Sequence, residues 1–513
     1  MNFKGYALYP EQVAALKAFK NLEEKKLLVI DAGAGASKTF TCNAIVDKLC
    51  ANKKVLVLAY NAIIVEEMKG SFPKNCDVTT SHSFARKNTK PYREERLNTP
   101  LTIRTVQQIL QLPKTIQSLS NTSFSEKVLK TINKFCVSDS SNIQEFVALN
   151  MTSLLGNHEY SLKADLIKYC EKLWAAMTDR TSNCPVTHDV YLKEFVLALE
   201  SGSISLDYDV VILDEGQDTV PVVRQMLELL CRVGVIVGDK YQSIYEWREA
   251  VNVMEQYIAS DHTTTRLTTC YRFGQQIADI ANALIEKFYD VNPYFRGNPK
   301  KTSIIHTSAN HEEHKQSLML FRTNAELMSS LIDKYEAGHE CRLLKKVEDS
   351  LKLIDDAQEL YKGKRVLRGP LRVFNKWQEF EEHAKSTQGG EFKSFINSIE
   401  QYGFDKMREV ISKTAQTPKE SAQYVFATAH ATKGIEHEHV VIGPDFDKFI
   451  SRSTGKQLLQ EANLLYVALT RAKLSLDIAQ CFTLRCLAER PVKENLSSGV
   501  MKEKHKMATA LFG

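Results

Sequence analysis

Lys38 and Thr39 close a loop of small residues, Ala32-Gly33-Ala34-Gly35-Ala36-Ser37. An ammonium and a hydroxyl placed after such a loop suit the phosphates of a nucleotide. Backbone N–H groups of the loop (Gly33, Gly35 and Ser37 among them) and the following helix N-terminus face the oxygens, Lys38 reaches the β/γ oxygens, and Thr39 ligates Mg²⁺. Asp214 and Glu215 stand side by side after an apolar run. That pair suits hydrolysis of a Mg-nucleotide: one carboxylate holds the metal, the other orients and deprotonates the attacking water. Gln242 follows a further apolar run, where a side-chain amide can hydrogen-bond both a γ-phosphate and a water. Tyr245, Trp247 and Arg248 lie close to it in sequence, and nucleic-acid bases stack well on such groups; the plainer reading makes Trp247 part of the core.

Each group needs an element to position it. Leu27, Leu28, Val29 and Ile30 form a continuous apolar run, as in a buried parallel strand, and Phe40, Ala44, Ile45 and Leu49 follow at helical spacing. Pro10 is placed to open a helix over 11–19. Residues 54–60 predict a second buried strand, with a helix after Asn61, and 78–84 a short strand ending in polar residues. Further strands are predicted at 208–213, which delivers Asp214 and Glu215, at 233–237, which delivers Gln242, and at 317–321. The alternation Leu474, Leu476, Ile478 suggests a closing strand.

Two long stretches, 86–206 and 336–420, are polar and mostly helical. The first opens on the basic run Arg86-Lys87-Asn88-Thr89-Lys90-Pro91-Tyr92-Arg93, either a surface for a nucleic-acid backbone or a solvated helix face. In the second, Lys362, Lys364, Arg365 and Arg368 precede Phe374 and Trp377, which reads equally as a nucleic-acid surface or an amphipathic helix. Residues after 490 are lysine-rich and weakly patterned, as in a loosely ordered tail.

The 513 residues suffice for three or four domains. Hydrophobic content of 43% and charged content of 25% are those of a soluble globular protein. A net charge of +5 is too mild to define a nucleic-acid partner by itself. The eleven cysteines form no C-x-x-C pair or regular framework, which fits reduced thiols. The start MNFKGYALYPEQ lacks a signal-peptide core and no run approaches a membrane span. The expectation is a cytoplasmic protein, nuclear if eukaryotic, without a membrane partner.

Taken in order, these segments resemble the motifs of superfamily 1 DNA helicases of the UvrD/Rep type. LYPEQ is similar to the adenine-reading glutamine motif, AGAGASKT to the Walker A motif and TTSHSF to the DNA-contacting motif after the second strand. VILDEGQD is similar to the Walker B box, and VGDKYQSIYEWR to the GDxxQxIYxWRG box. LTTCYRF, TAHATKGIEHEHV and NLLYVALTRAK match the later motifs. The short second insertion and the Tyr-Asn after the second strand point most closely to the F-box-containing DNA helicases, although no F-box is seen in these residues.

The resemblance implies an α/β fold of two RecA-like P-loop domains with parallel sheets, each carrying a mostly helical insertion. Residues 1–85 and 207–266 would form the first domain, 267–335 and 421–490 the second, 86–206 and 336–420 the insertions, and 491–513 a tail. ATP with Mg²⁺ would lie between the domains, and single-stranded DNA or a single-/double-strand junction would cross their tops. By the same resemblance Gln12 reads adenine and Tyr271 stacks near it. Asp214 and Thr39 hold the metal, Glu215 is the base, and Gln242 senses the γ-phosphate. Arg272 and Arg471 are arginine fingers, Glu436 lies near the nucleotide, and His82, Tyr245, Trp247 and Arg248 belong to the DNA track. The implied activity is ATP-driven 3′→5′ translocation and unwinding, alone or with a protein partner. The competing readings are a motor subunit of a larger nuclease or defence complex and a nucleotide-gated DNA-binding scaffold. Three departures stand out: Ser37 and Gly216 replace the family's glycine and alanine, and Glu249 stands where glycine is usual. Serine at 37 either caps the helix and donates to phosphate or crowds the cradle.

Overall fold

The computed structural model describes residues 1–489, apart from 118, 156–159, 246–251, 292–293, 309–313, 346, 368 and 386–389. Two six-stranded parallel sheets organise it. The first contains β1 (Leu27–Ala32), β2 (Val55–Ala59), β3 (Cys76–Thr80), β4 (Tyr208–Asp214), β5 (Cys231–Gly238) and β6 (Thr263–Leu267) in the order β6-β1-β5-β4-β2-β3. The second contains β7 (Ile304–His306), β8 (Ser317–Phe321), β9 (Cys341–Leu343), β10 (Tyr424–Thr428), β11 (His437–Ile442) and β12 (Ala472–Asp477) in the order β7-β12-β11-β8-β10-β9.

β1 is buried along its whole length and serves two cores. Leu28 and Ile30 face the helices Pro10–Lys20 and Lys38–Leu49, and Leu27 and Val29 face the opposite core, which runs on into the first insertion. Burial on both faces is why the strand reads as a continuous apolar run rather than an alternation. The adjacent strands β1, β5 and β4 end side by side, with Asp31 opposite Gly238 and Asp214 opposite Val237. The phosphate loop, the Gln242 segment and the acidic pair therefore emerge at one edge, the carboxyl end of a parallel sheet where ligands bind.

The first insertion is helical, with long helices Asn121–Val137, Lys163–Thr178 and His188–Glu200. The second packs its helices Val347–Tyr361, Trp377–Lys385 and Gly390–Gln416 around a core of its own. Phe374 and Trp377 are buried in that core, and the Trp377 indole donates to Glu381 at 2.7 Å. These two rings are structural, which removes the aromatic half of the nucleic-acid reading there. Residues 341–343, expected in a helical insertion, are instead the edge strand β9 beside β10. The core of the second domain reaches across to Ala34, Tyr241 and Ile244 of the first, so the domains meet along the cleft that holds the loop.

Candidate active site

The phosphate loop turns sharply because two residues adopt positive φ. Gly35 has φ +69°, and a Cβ there would lie 2.8 Å from Arg272 Cβ and 2.9 Å from Cys270 Sγ. Only glycine fits, because the second domain's segment presses on the loop; the Tyr271 N–H donates to the Gly35 carbonyl at 2.8 Å. Ser37 opens the helix Lys38–Leu49 with φ 59° and ψ 43°, and its hydroxyl makes no capping bond. The capping rationale for serine therefore fails. The residue holds a left-handed conformation that costs a non-glycine residue roughly 1–2 kcal/mol, and the glycine usual at this position would hold it freely.

Lys38 Nζ pairs with Glu215 Oε1 at 3.0 Å, and Lys433 Nζ lies 3.5 Å from Glu215 Oε2 and pairs closely with Asp218. Glu215 is also left-handed, with φ 56°; such strain in a non-glycine residue clusters at functional sites. Burial pushes the Glu215 carboxyl up, but Lys38 and Lys433 outweigh it and hold the group ionised. Asp214 is raised instead, first by burial and then by the neighbouring Glu215 charge, with Lys38 opposing. A buried carboxyl in that position is stabilised as an anion by a bound divalent cation, and the Thr39 hydroxyl begins the helix at the same edge. These donors fit a Mg²⁺ ion completed by phosphate oxygens; among the described residues no group of three or more His, Cys, Asp or Glu could hold a metal by itself.

Gln217 ties the acidic segment to the next strand, accepting from the Asp239 N–H at 3.1 Å and donating to Glu215. Gly216 is a packing requirement: a Cβ there would lie 2.5 Å from Ile236 Cγ2 and 3.0 Å from Met254 Sδ. Gln242 is buried, with Nε2 donating to Asp239 Oδ2 at 2.9 Å. Burial pushes the Asp239 carboxyl up to about 7, against Lys38 and a hydrogen bond from Tyr466.

The second domain contributes two arginines. Arg272 donates through Nε to Glu436 Oε1 at 2.7 Å and through Nη1 to the Thr470 carbonyl at 2.6 Å, and Lys473 reaches Glu436 at 3.3 Å. Arg471 is fully buried, donating to the Val467 carbonyl at 2.8 Å and the Thr470 hydroxyl at 3.2 Å. Among the described residues it forms no ion pair. Burial and the nearby Arg272 charge both disfavour its guanidinium, with Glu215 and Glu436 opposing. A buried, charged arginine without an ion pair among the described residues is costly unless an anion completes it, and a terminal phosphate would be such an anion.

Gln12 is buried between Thr41, to which Nε2 donates at 3.2 Å, and the Tyr9 N–H, which it accepts at 3.1 Å. Tyr9 and Tyr271 meet edge to face, 5.1 Å between centroids. The structure thus gathers Gly33, Gly35, Ser37, Lys38, Thr39, Asp214, Glu215, Gln242, Tyr271, Arg272, Glu436 and Arg471 around one cleft, with Gln12 at its flank.

Of the residues expected to meet DNA, His82 and Tyr245 are described, and they lie outside this group. β3 stops at Thr80, whose side chain accepts from the Ser83 N–H and starts the helix Ser81–Asn88. His82 is therefore in a first helical turn rather than on a strand, with Nε2 2.9 Å from Asp189 Oδ1. Tyr245 stacks on Tyr60, 5.5 Å between centroids and 19° between planes, and its hydroxyl donates to the His430 carbonyl at 3.3 Å. Tyr60, His82 and Tyr245 line a cleft of about 910 Å³ that continues to Asp214 and Glu215 on one side and to Lys130 and Lys134 of the first insertion on the other. Trp247, Arg248 and Glu249 lie outside the described residues.

Lys433 was not singled out from the sequence. Its Nζ also lies 5.3 Å from the Tyr60 centroid and 5.4 Å from that of Tyr245, so one charge faces both the acidic pair and the tyrosine stack. The signal was present, a lysine inside the His430–Glu436 segment, but its partners come from the other domain.

Two family models match the chain: the UvrD/REP helicase N-terminal domain over residues 9–263 and the UvrD-like helicase C-terminal domain over residues 321–482. The chain is 27% identical to F-box DNA helicase protein 1 of Schizosaccharomyces pombe, over 91% of this chain and 57% of that protein. It is 26% identical to F-box DNA helicase 1 of Gallus gallus, over 90% of this chain and 48% of that protein. The chain thus spans about half the length of these relatives. Among the described residues no helix is long and apolar enough to cross a membrane.

Proposed function

This chain belongs to the UvrD-like helicase family, and from that premise we propose that it is an ATP-hydrolysing motor that moves 3′→5′ on single-stranded DNA and unwinds duplex or displaces bound protein. The observation that carries the reading is the cleft between the sheets. The phosphate loop, Asp214 and Glu215 on one side face, on the other, a buried Arg471 that has no ion-pair partner among the described residues.

The proposed chemistry is one of positioning and charge. Lys38 and the loop N–H groups bind the phosphates, with Lys38 exchanging Glu215 for phosphate oxygen. Glu215, released from that pair, accepts the proton of the attacking water, and Gln242 orients the water. Thr39 and Asp214 hold Mg²⁺, which when bound offsets the phosphate charge. Arg471 and Arg272 bring charge from the second domain and favour the closed cleft, so that nucleotide state sets domain separation and drives stepping. Tyr60, His82 and Tyr245, which line the cleft that reaches the acidic pair, serve the single strand together with Trp247 and Arg248, and Lys433 faces both the acidic pair and the tyrosine stack. The proposed domain division follows the two sheets, with the insertions as accessory domains.

The test is steady-state ATPase with and without single-stranded DNA, followed by unwinding of duplexes carrying one 3′ or one 5′ tail. Stimulated turnover with unwinding from the 3′ tail is expected. Turnover indifferent to DNA would favour the scaffold reading, and preference for a 5′ tail would reverse the polarity. DNA repair or control of recombination would suit such a motor in a cytoplasmic or nuclear setting.

A further inference from the structure

We infer that Tyr466 is a positioning residue for hydrolysis: its hydroxyl holds the Asp239 carboxyl that aims the Gln242 amide, and so ties that amide to the helix that leads into the arginine finger. The inference rests on the ATPase reading above and deepens it.

Tyr466 lies on the helix Gly455–Leu469 of the second domain and is almost fully buried. Its hydroxyl nevertheless sits among groups of the first domain. It accepts from the Ala34 N–H of the phosphate loop at 3.3 Å and donates to Asp239 Oδ2 at 2.9 Å. A phenol has one proton to give, so these two bonds use it fully and in one sense. The same Oδ2 accepts from Gln242 Nε2 at 2.9 Å.

Asp239 accepts at both oxygens, from the Tyr241 N–H at Oδ1 and from the Tyr466 hydroxyl and Gln242 Nε2 at Oδ2, so the Gln242 NH₂ faces it. The amide orientation is thereby fixed, and its carbonyl oxygen is left to accept from another donor, the role a water at the reacting phosphate requires. A second branch leaves Asp239 through its own N–H to Gln217, which donates to Glu215. One hydroxyl thus supports the γ-phosphate-facing amide directly and the proposed base through Gln217.

The position of Tyr466 on its helix gives the link its meaning. Arg471 follows five residues later, and the Thr470 carbonyl between them accepts from Arg272. A shift of this helix during cleft closure moves the hydroxyl and both arginine anchors together. The ring itself packs edge-on against Tyr241 and Phe295, at 6.3 and 6.1 Å between centroids, and phenylalanine would keep that packing.

The experiment is a double-mutant cycle on the full chain, at saturating single-stranded DNA, with kcat and KM for ATP measured separately. Tyr466→Phe should lower kcat about tenfold or more and leave KM within about threefold. In a Gln242→Ala background the same change should cost less than threefold, because the group it acts through is gone. Equal losses in the two backgrounds, or a loss below threefold in the parent, would overturn the inference, since a purely structural hydroxyl acts alike in both. If Tyr466→Phe does not fold, Asp239→Asn replaces it in the same cycle with the same criteria. A parent without DNA-stimulated turnover would overturn the ATPase reading itself, whereas a stimulated parent with equal losses would overturn only the role of Tyr466.

Discussion

Ser37→Gly removes a Cβ and a hydroxyl from the turn where the phosphate loop enters its helix. Two opposing terms set the outcome for stability. The left-handed backbone at φ 59° and ψ 43° costs serine roughly 1–2 kcal/mol that glycine does not incur. Glycine's freer unfolded chain takes back about 0.4–1 kcal/mol. The hydroxyl makes no capping bond, so little else is lost. The net expectation is a gain of about 0.5–1 kcal/mol, read from chemical denaturation followed through the first sheet. For turnover, the groups that touch phosphate and water are unchanged, so kcat and KM for ATP should each move less than about tenfold, or 1.4 kcal/mol. A loss of stability above about 1 kcal/mol would mean that the serine side chain makes a contact the strain argument omits. A gain in kcat/KM of about a hundredfold, some 2.7 kcal/mol, would mean that Ser37 restrains the site, and the scaffold reading would regain ground.

Glu215→Gln should retain ATP binding while turnover falls by about 10²–10⁴; near-normal DNA-stimulated turnover would remove Glu215 from the base role. Arg471→Ala should lower kcat by about 10³–10⁵, the range for arginine fingers, and a loss within tenfold would assign the buried guanidinium to packing. Gly216→Ala, which installs the family's usual residue, should destabilise by about 1–3 kcal/mol through overpacking against Ile236; an unchanged denaturation midpoint would refute this. Trp247→Ala should weaken single-strand binding by about 1–3 kcal/mol if one base stacks there, with basal ATPase intact, and a poorly folded variant would return Trp247 to the core.

The proposed nucleotide site is legible in the sequence because its chemistry is local. Lys38 and Thr39 follow their loop directly, Asp214 and Glu215 follow β4 directly, and burial on both faces gives such strands an unmistakable apolar run. Where reading failed, competing local signals won. The Thr-Thr-Ser-His-Ser-Phe run suits a strand by residue type, but Thr80 caps a helix at that point. β9 is three residues long, too short for any periodicity to show. Phe374 and Trp377 lie near basic residues in sequence but turn inward, and sequence spacing does not record which way a ring points. Lys433, Tyr466 and the Gly216–Ile236 contact were invisible for a different reason. Each acquires its meaning from a partner far along the chain, and only the packed structure supplies it.

The charges around the cleft also bear on how readily a motor lets go. Lys38 rests on Glu215, Lys433 on Glu215 and Asp218, and Arg272 on Glu436. A nucleotide entering the proposed site would meet cations that already have anions, so much of its binding would be an exchange of one pairing for another. Exchange yields far less net affinity than capture by bare charges would. Its reverse is equally easy: as products leave, each carboxylate is at hand to take its cation back. Arg471 is the exception, with no carboxylate to return to among the described residues. The difference between holding a γ-phosphate and releasing the spent nucleotide would then fall largely on this one side chain, which makes product release, rather than substrate capture, the step that the resting pairs hasten.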